Sequence, residues 1–205
     1  MGCTVKNSPP SLSGPIRYVF EYLVHQGHRI GVPTAYGKAS FYANAKDGFQ
    51  GRQTSTGIQL TAQSQIGATQ AFPLARLWEA SPLRLHITRA DNSKKVVVFA
   101  EDRGPYERRD LSNGKCEYIP HSQRVIDLTY AAALKLDFIR QGDTEVKVQP
   151  ELGTSWPPRS EKELKVWILR FPAFRTKEGQ RIAAQWLAKL QKRDSDAKPK
   201  SFHFL

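Results

Sequence analysis

The chain has 205 residues, 40% of them hydrophobic, and a formal net charge of +12. That length fits one domain of ordinary size or one domain with a small appendage, and the apolar share is enough for a core. The charge favours a polyanionic partner such as nucleic acid, an anionic envelope polymer or a membrane surface. No apolar run approaches the ~18 residues that span a bilayer, and two cysteines, Cys3 and Cys116, are too few for a disulfide framework.

Residues 1–15, with Pro9-Pro10-Ser11 and Gly14-Pro15, have the composition of a linker. No secretory apolar core follows Met1-Gly2-Cys3-Thr4-Val5-Lys6. Cys3 has three readings. It is the lipidated first residue of a mature lipoprotein behind a start Met, an acylated Met-Gly-Cys terminus, or an unmodified cysteine. Lys6 stands where the acylation pattern has Ser or Thr. Residues 16–30, rich in aromatic and β-branched side chains, predict a strand or short helix packed on the main domain. His25 and His28 flank Gly27 without a Cys or carboxylate at ligand spacing, which argues against a metal site.

A main domain is expected to open near Ala39-Ser40-Phe41-Tyr42, followed by a glycine-punctuated polar loop over 47–57 and an alternating strand at 58–62. Leu74, Leu77 and Trp78 fall at helical spacing within 65–80. Leu83, Leu85 and Ile87 alternate on a strand whose polar face carries His86. Asp91-Asn92-Ser93 turns that strand into the next one. Val96-Val97-Val98-Phe99 reads as a strand covered on both faces, and Gly104-Pro105 stops it. Asp102 and Arg103 therefore sit at the mouth of a core strand. By themselves they are either a turn-capping acid beside a solvated guanidinium or a carboxylate held in a cleft.

Residues 107–123 read as a polar, charged insertion and flexible loop carrying Cys116 and His121. Such a loop cannot preorganise those two as nucleophile and base. Asp127 lies in an otherwise apolar run, so it needs backbone N–H donors or an arginine partner. Thr129 is a candidate N-cap for an alanine-rich helix over 130–136. Gly142 closes that segment, and 144–148 alternate as a last strand. Trp156-Pro157-Pro158 reads as a stiff separator. Beyond it, residues 165–171 predict a strand and 176–192 an amphipathic helix with Gly179, Ile182, Ala183, Trp186 and Leu190 on one stripe. Residues 194–205 read as disordered.

Five pieces in order carry a resemblance: Tyr36-Gly37-Lys38-Ala39-Ser40-Phe41-Tyr42, then Gly51-Arg52-Gln53-Thr54-Ser55-Thr56-Gly57, then Leu60-Thr61-Ala62, then Val96-Val97-Val98 running into Asp102-Arg103-Gly104-Pro105-Tyr106, and last Arg124-Val125-Ile126-Asp127-Leu128-Thr129-Tyr130-Ala131-Ala132-Ala133. Over residues 36–150 the chain resembles the RlpA-like (rare lipoprotein A) family of bacterial envelope proteins. The resemblance implies a mainly β fold, a six-stranded double-psi β-barrel with short helices and a small C-terminal strand-helix appendage. It divides the chain into 1–34 (linker and packing segment), 35–150 (barrel) and 151–205 (linker, tail similar to half a SPOR domain, disordered end).

The resemblance further implies a lipoprotein on the periplasmic side of the cell envelope. Cys3 would be its anchor and its only attachment to a membrane, and septal proteins are possible partners. Some family members are lytic transglycosylases that cut peptidoglycan glycan strands, preferring strands stripped of stem peptides. Carried across residue by residue, Asp102 is the general acid and Arg103 positions sugar or carboxylate groups. Thr54 and Tyr42 line the cleft, and Asp127 is mainly structural at its edge. No cofactor or metal is implied. Ile58 stands where active members carry a Glu, and Gln63-Ser64 where they carry a His. Glu79, Glu101 and His121 are the candidate replacements, two of them in or beside stretches 65–81 and 107–123 that look like insertions. Two readings follow, a glycan-cleaving enzyme and a catalytically silent peptidoglycan-binding or septal scaffold. A nucleic-acid binder is disfavoured, because no interleaved aromatic-basic motif accompanies the charge.

Overall fold

A computed structural model describes residues 15–43, 46–73, 83–110 and 116–197. Its strands are β1 (Arg17–His25), β2 (His28–Tyr42), β3 (Ile66–Ala68), β4 (Arg84–Arg89), β5 (Lys95–Asp102), β6 (Tyr106–Asp110), β7 (Cys116–Pro120), β8 (Arg124–Thr129) and β9 (Thr144–Pro150). Helix α1 is Tyr130–Leu136, α2 is Glu161–Arg170 and α3 is Lys177–Ala197, with a short 3-10 helix, Pro172–Arg175, between the last two.

Six strands close on themselves in the order β2-β8-β3-β5-β4-β9, with β9 returning to β2. The β2–β8 and β3–β5 pairs are parallel, and the other four seams are antiparallel. Alternating residues of the strands fill the interior: Leu85, Ile87, Val98, Ala100, Ile126, Leu128, Val146 and Val148 are all buried, as is Leu83 just before β4. β5 obeys this alternation too. Val96, Val98 and Ala100 face inward while Phe99 is 38% exposed, so the continuous apolar run is not covered on both faces as expected.

β2 is long because it serves two neighbours in succession on one edge. Residues 28–36 pair with β1, and from Lys38 on the strand pairs with β8. Gly37 sits at the handover. A Cβ there would lie 2.9 Å from the Gln123 carbonyl and 3.3 Å from both Ile16 and Val125. The segment read as strand or helix over 16–30 is thus β1, its turn and the start of β2, and Ala39–Tyr42 end a strand that begins at His28.

Three further expectations change. Residues 165–170 lie in helix α2, with Phe171 as its C-cap, rather than in a strand, so the strand supporting a likeness to half a SPOR domain is absent. The local cause is a cap. Ser160 accepts from the Glu163 N–H at 3.2 Å, the Glu163 carboxylate accepts from the Arg159 N–H at 2.6 Å, and Leu164, Trp167 and Phe171 recur on one buried side. The described part of 107–123 is a β6–β7 hairpin, not a flexible loop. Thr129 precedes α1 without capping it, because its hydroxyl donates to the Ser64 carbonyl and accepts from the Ile66 N–H. The helix placed among 65–80 lies mostly outside the described residues, as do 198–205, although α3 carries the chain in order to Ala197.

The proline-rich segment does not hold the C-terminal helices away from the barrel. Trp156 is fully buried and its indole N–H donates to the Gly31 carbonyl at 2.9 Å. Trp156 meets Trp167 edge-on at 5.2 Å, Phe174 meets Phe20 at 4.9 Å, and Phe171 meets Tyr18 at 5.6 Å. Burial also pushes the Tyr18 hydroxyl up to about 12. The expected stripe of α3 faces this cluster, with Ile182 and Leu190 buried.

Gly179 allows the close approach of α3 to the 3-10 helix. A Cβ there would lie 2.1 Å from the Ala173 carbonyl oxygen and 2.5 Å from the Phe174 Cα, both backbone atoms that cannot rotate away. Gly179→Ala should therefore destabilise the protein by about 3 kcal/mol, despite the better helix propensity of alanine. A urea titration followed by tryptophan fluorescence checks this, since Trp156, Trp167 and Trp186 all lie in the displaced cluster.

Candidate active site

Two strand registers build the site. Ala68, the last residue of β3, pairs with Asp102 on the parallel side and with Asp127 on the antiparallel side. The two acids are therefore level with one another across a methyl group, their Cα atoms two strand spacings or roughly 10 Å apart. The β3–β5 register slips between Gly67 and Ala68, leaving Glu101 as the extra residue of a bulge. A bulge of this kind re-aims the end of a strand. Tyr42, on β2 beyond β8, brings its hydroxyl to 3.5 Å from Asp102 Oδ2. Burial first, then the charges of Asp102 and Asp127, raise that hydroxyl above its usual pKa, so it stays a neutral donor.

The glycine-punctuated loop supplies the other half of Asp102's surroundings. Its Oδ1 accepts from the Ser55 N–H at 3.0 Å, the Ser55 hydroxyl at 2.5 Å and the Arg103 N–H at 2.8 Å. With Oδ1 so occupied, Oδ2 is the oxygen turned toward Tyr42. Thr54 works behind Ser55. Its buried hydroxyl bonds Thr56 and accepts from the Ile58 N–H, closing the turn that ends at Gly57 (φ +94°). Thr56 donates to the Glu101 carboxylate at 2.6 Å and to its carbonyl at 2.9 Å. The loop is thus pinned to the end of β5 at two successive residues.

Asp127 has a different environment. Its Oδ1 accepts from Ser40 at 2.5 Å and from Arg124 at 3.1 Å, and Arg124 also donates to Ser40 at 2.6 Å. The expected arginine partner is therefore Arg124, three residues earlier on the same strand. Burial raises the Asp127 carboxyl above the ordinary carboxylate range, with Ser40, Arg124 and His121 pulling the other way. Gly104 closes over the pair in a left-handed conformation (φ +148°), where a Cβ would meet the Ala68 Cβ at 3.4 Å. Pro105 then anchors the base of the hairpin: its carbonyl accepts from the His121 N–H at 3.1 Å and from the Gln70 side chain at 3.2 Å.

The candidate replacement residues are mostly committed elsewhere. Glu101 serves Thr56, and His121 Nδ1 accepts from the Gln123 and Arg124 N–H groups, both at 3.1 Å. Ile58 is 48% exposed on the loop, and Gln63 is exposed. Glu79 and Cys3 lie outside the described residues. Ser55 and Ser40 were not singled out by their types. The signal that carried them was their position inside the motifs that hold Thr54 and Tyr42.

The family described as Lytic transglycolase, a double-psi β-barrel family, matches residues 34–148, a span that contains Tyr42, Thr54, Asp102, Arg103 and Asp127 and ends before α2. The chain is similar to proteins named endolytic peptidoglycan transglycosylase RlpA. With that of Rickettsia felis it is 30% identical over 165 residues, 80% of this chain and 57% of that protein. With that of Neisseria meningitidis serogroup A it is 30% identical over 139 residues, 67% of this chain and 48% of that protein. With that of Pseudomonas aeruginosa strain UCBPP-PA14 it is 33% identical over 113 residues, 55% of this chain and 26% of that protein. The chain spans about half the length of the first two. Among solved structures, the Streptomyces papain inhibitor covers 57% of the chain at 19% identity and a TM-score of 0.36.

The raised Asp127 carboxyl has a stability consequence. Its folded state holds the proton to higher pH than the unfolded chain does, so the contribution is full below the unfolded value near 3.8 and declines as pH rises through the folded value. Asp127→Asn should remove that decline. The difference in Tm between wild type and variant, followed upward from pH 3.5, should shift steadily in favour of the variant; a pH-independent difference would contradict it.

Proposed function

Because the chain belongs to the lytic transglycolase family of double-psi β-barrels, we propose that it acts on peptidoglycan glycan strands as a lytic transglycosylase with Asp102 as general acid. One observation carries the reading. Asp102, Asp127 and Tyr42 converge at the end of β3, with one Asp102 oxygen held by three donors and the other turned toward Tyr42.

The chemistry needs a proton and a fixed geometry. Protonated on Oδ2, Asp102 delivers its proton to the glycosidic oxygen as the C1–O bond breaks. The sugar's own C6 hydroxyl attacks the oxocarbenium-like C1 and loses its proton to the carboxylate just formed, giving a 1,6-anhydro ring with no water consumed. Ser55 and the Arg103 N–H hold the carboxyl so that only one oxygen reaches the sugar. Tyr42 orients that oxygen, and Thr54 acts through the turn that presents Ser55. Arg103 and Asp127 supply contacts to the glycan at the cleft edge. On this reading the chain works in a bacterial cell envelope on the periplasmic side, with a lipid on Cys3 as the proposed anchor and septal proteins as proposed neighbours. Among the described residues no helix is long and apolar enough to cross a membrane.

A second reading, binding without cleavage, is favoured by the exposed Ile58 and by Gln63 where the resemblance expects a Glu and a His. A neighbouring carboxylate would have helped keep the acid protonated. Digestion of amidase-treated sacculi, with mass spectrometry of the soluble products, separates the two. The enzyme reading expects anhydromuropeptides from wild type and at least a ~100-fold loss in Asp102→Asn. Sacculus pull-down without any anhydro product supports the binder. Product surviving Asp102→Asn overturns the role given to that residue.

A further inference from the structure

Beside the acids lies a cavity of about 210 Å³ lined by Thr69, Gln70, Phe72, Arg103, Tyr106 and Arg170. Thr69 follows Ala68 and Arg103 follows Asp102, so the cavity begins one residue beyond the acid pair. The Thr69 N–H donates to the Asp102 carbonyl at 3.0 Å, which fixes the two walls to each other. The third wall comes from the C-terminal helices. Phe72 packs at 5.9 Å against Trp167 and at 5.3 Å against Phe171, and this contact sets the end of α2, with Arg170, at the cavity. The family match ends at residue 148, so Arg170 lies outside it.

We propose that Arg170 joins Arg103 to form a carboxylate-binding subsite, and that it takes the free carboxylate of an N-acetylmuramic acid unit in the glycan; the proposal rests on the reading of this barrel as a glycan-strand site. Among the described residues the lining contains two guanidinium groups and no acid, and neither guanidinium has a carboxylate partner. Two guanidinium groups on the walls of one cavity, supplied by different elements, suit one carboxylate better than a neutral hydroxyl. The cavity is too small for a disaccharide and large enough for the acid-bearing side arm of one sugar. Tyr106, 39% exposed at its rim, offers a ring face to the sugar. In peptidoglycan that side arm is a carboxylate only where no peptide is joined to it through an amide. Arg170 is thus a specificity-determining residue, acting on which glycan units dock next to Asp102.

Titration of the full 15N-labelled chain with N-acetylmuramic acid and with its methyl ester, followed by amide chemical shifts, tests this independently of cleavage. Wild type should bind the acid about tenfold more tightly than the ester, with shifts at Thr69, Gln70 and Arg103. Arg170→Ala should abolish the preference, so that acid and ester bind alike. Arg170 is exposed at a helix end, so its loss leaves the fold intact, which circular dichroism verifies. Arg170→Lys should recover part of the preference, because the charge remains and the fork does not. Equal binding of acid and ester, no binding of the acid, or a preference that survives Arg170→Ala overturns the subsite. Preference for the acid with no anhydro product from sacculi overturns only the cleavage reading.

Discussion

Ile66, Gly67 and Ala68 hydrogen-bond to β5 on one side and to β8 on the other, and both registers must hold for Asp102 and Asp127 to stand level across Ala68. Three residues of strand are little to keep two registers. The rest of the constraint comes from side chains. Thr129 ties Ser64 and Ile66 to the end of β8, and the space beside Gly67 is already filled, since a Cβ there would lie 2.6 Å from Ile126. The bulge at Glu101 absorbs the mismatch between the two pairings. The acid pair is therefore a product of barrel closure, and a slip of one residue would turn the set to the other face.

The same closure decides how the two carboxyls differ. Asp102 sits where the polar loop crosses the strand end, so main-chain and hydroxyl donors reach it. Asp127 sits on β8 beside Ser40 and Arg124, where burial outweighs its partners and raises its carboxyl. The aromatic packing of Trp156, Trp167, Phe171 and Phe174 extends this barrel into the C-terminal helices. Those helices are structural neighbours of the cleft and not a separate attachment.

Much of this was legible in the residues. Period-two alternation over 83–88 and 144–148 marks real strands, and Asp91-Asn92-Ser93 marks a real turn, because both signals are local. Asp102 at a strand mouth and Asp127 in need of an arginine were also readable from types alone. Residues 165–171 were not. An aromatic and β-branched run has the composition of a strand, yet Ser160 and Glu163 cap a helix just before it, and tertiary packing of Trp167 rewards that choice. Thr129 misled for the opposite reason. Its position is that of a cap, but a chain segment 63 residues away claims its hydroxyl. The pairing of both acids with Ala68, and the placing of Arg170 and Arg103 on one cavity, depend on contacts between distant segments that spacing along the chain does not encode.

The seam between β2 and β9 joins residues 35–39 to 144–148. A ribosome-bound chain must therefore expose that edge of β2 until more than a hundred further residues have emerged. Only the other edge has an early partner, β1, which needs just the two-residue turn at Gln26-Gly27 to pair. Ordering by sequence separation makes the hairpin fast and the ring closure late. Until β9 arrives, the apolar inner face of β2 is open to other strands. A barrel built this way is most vulnerable to misassembly while it is being made, and least once the ring is shut.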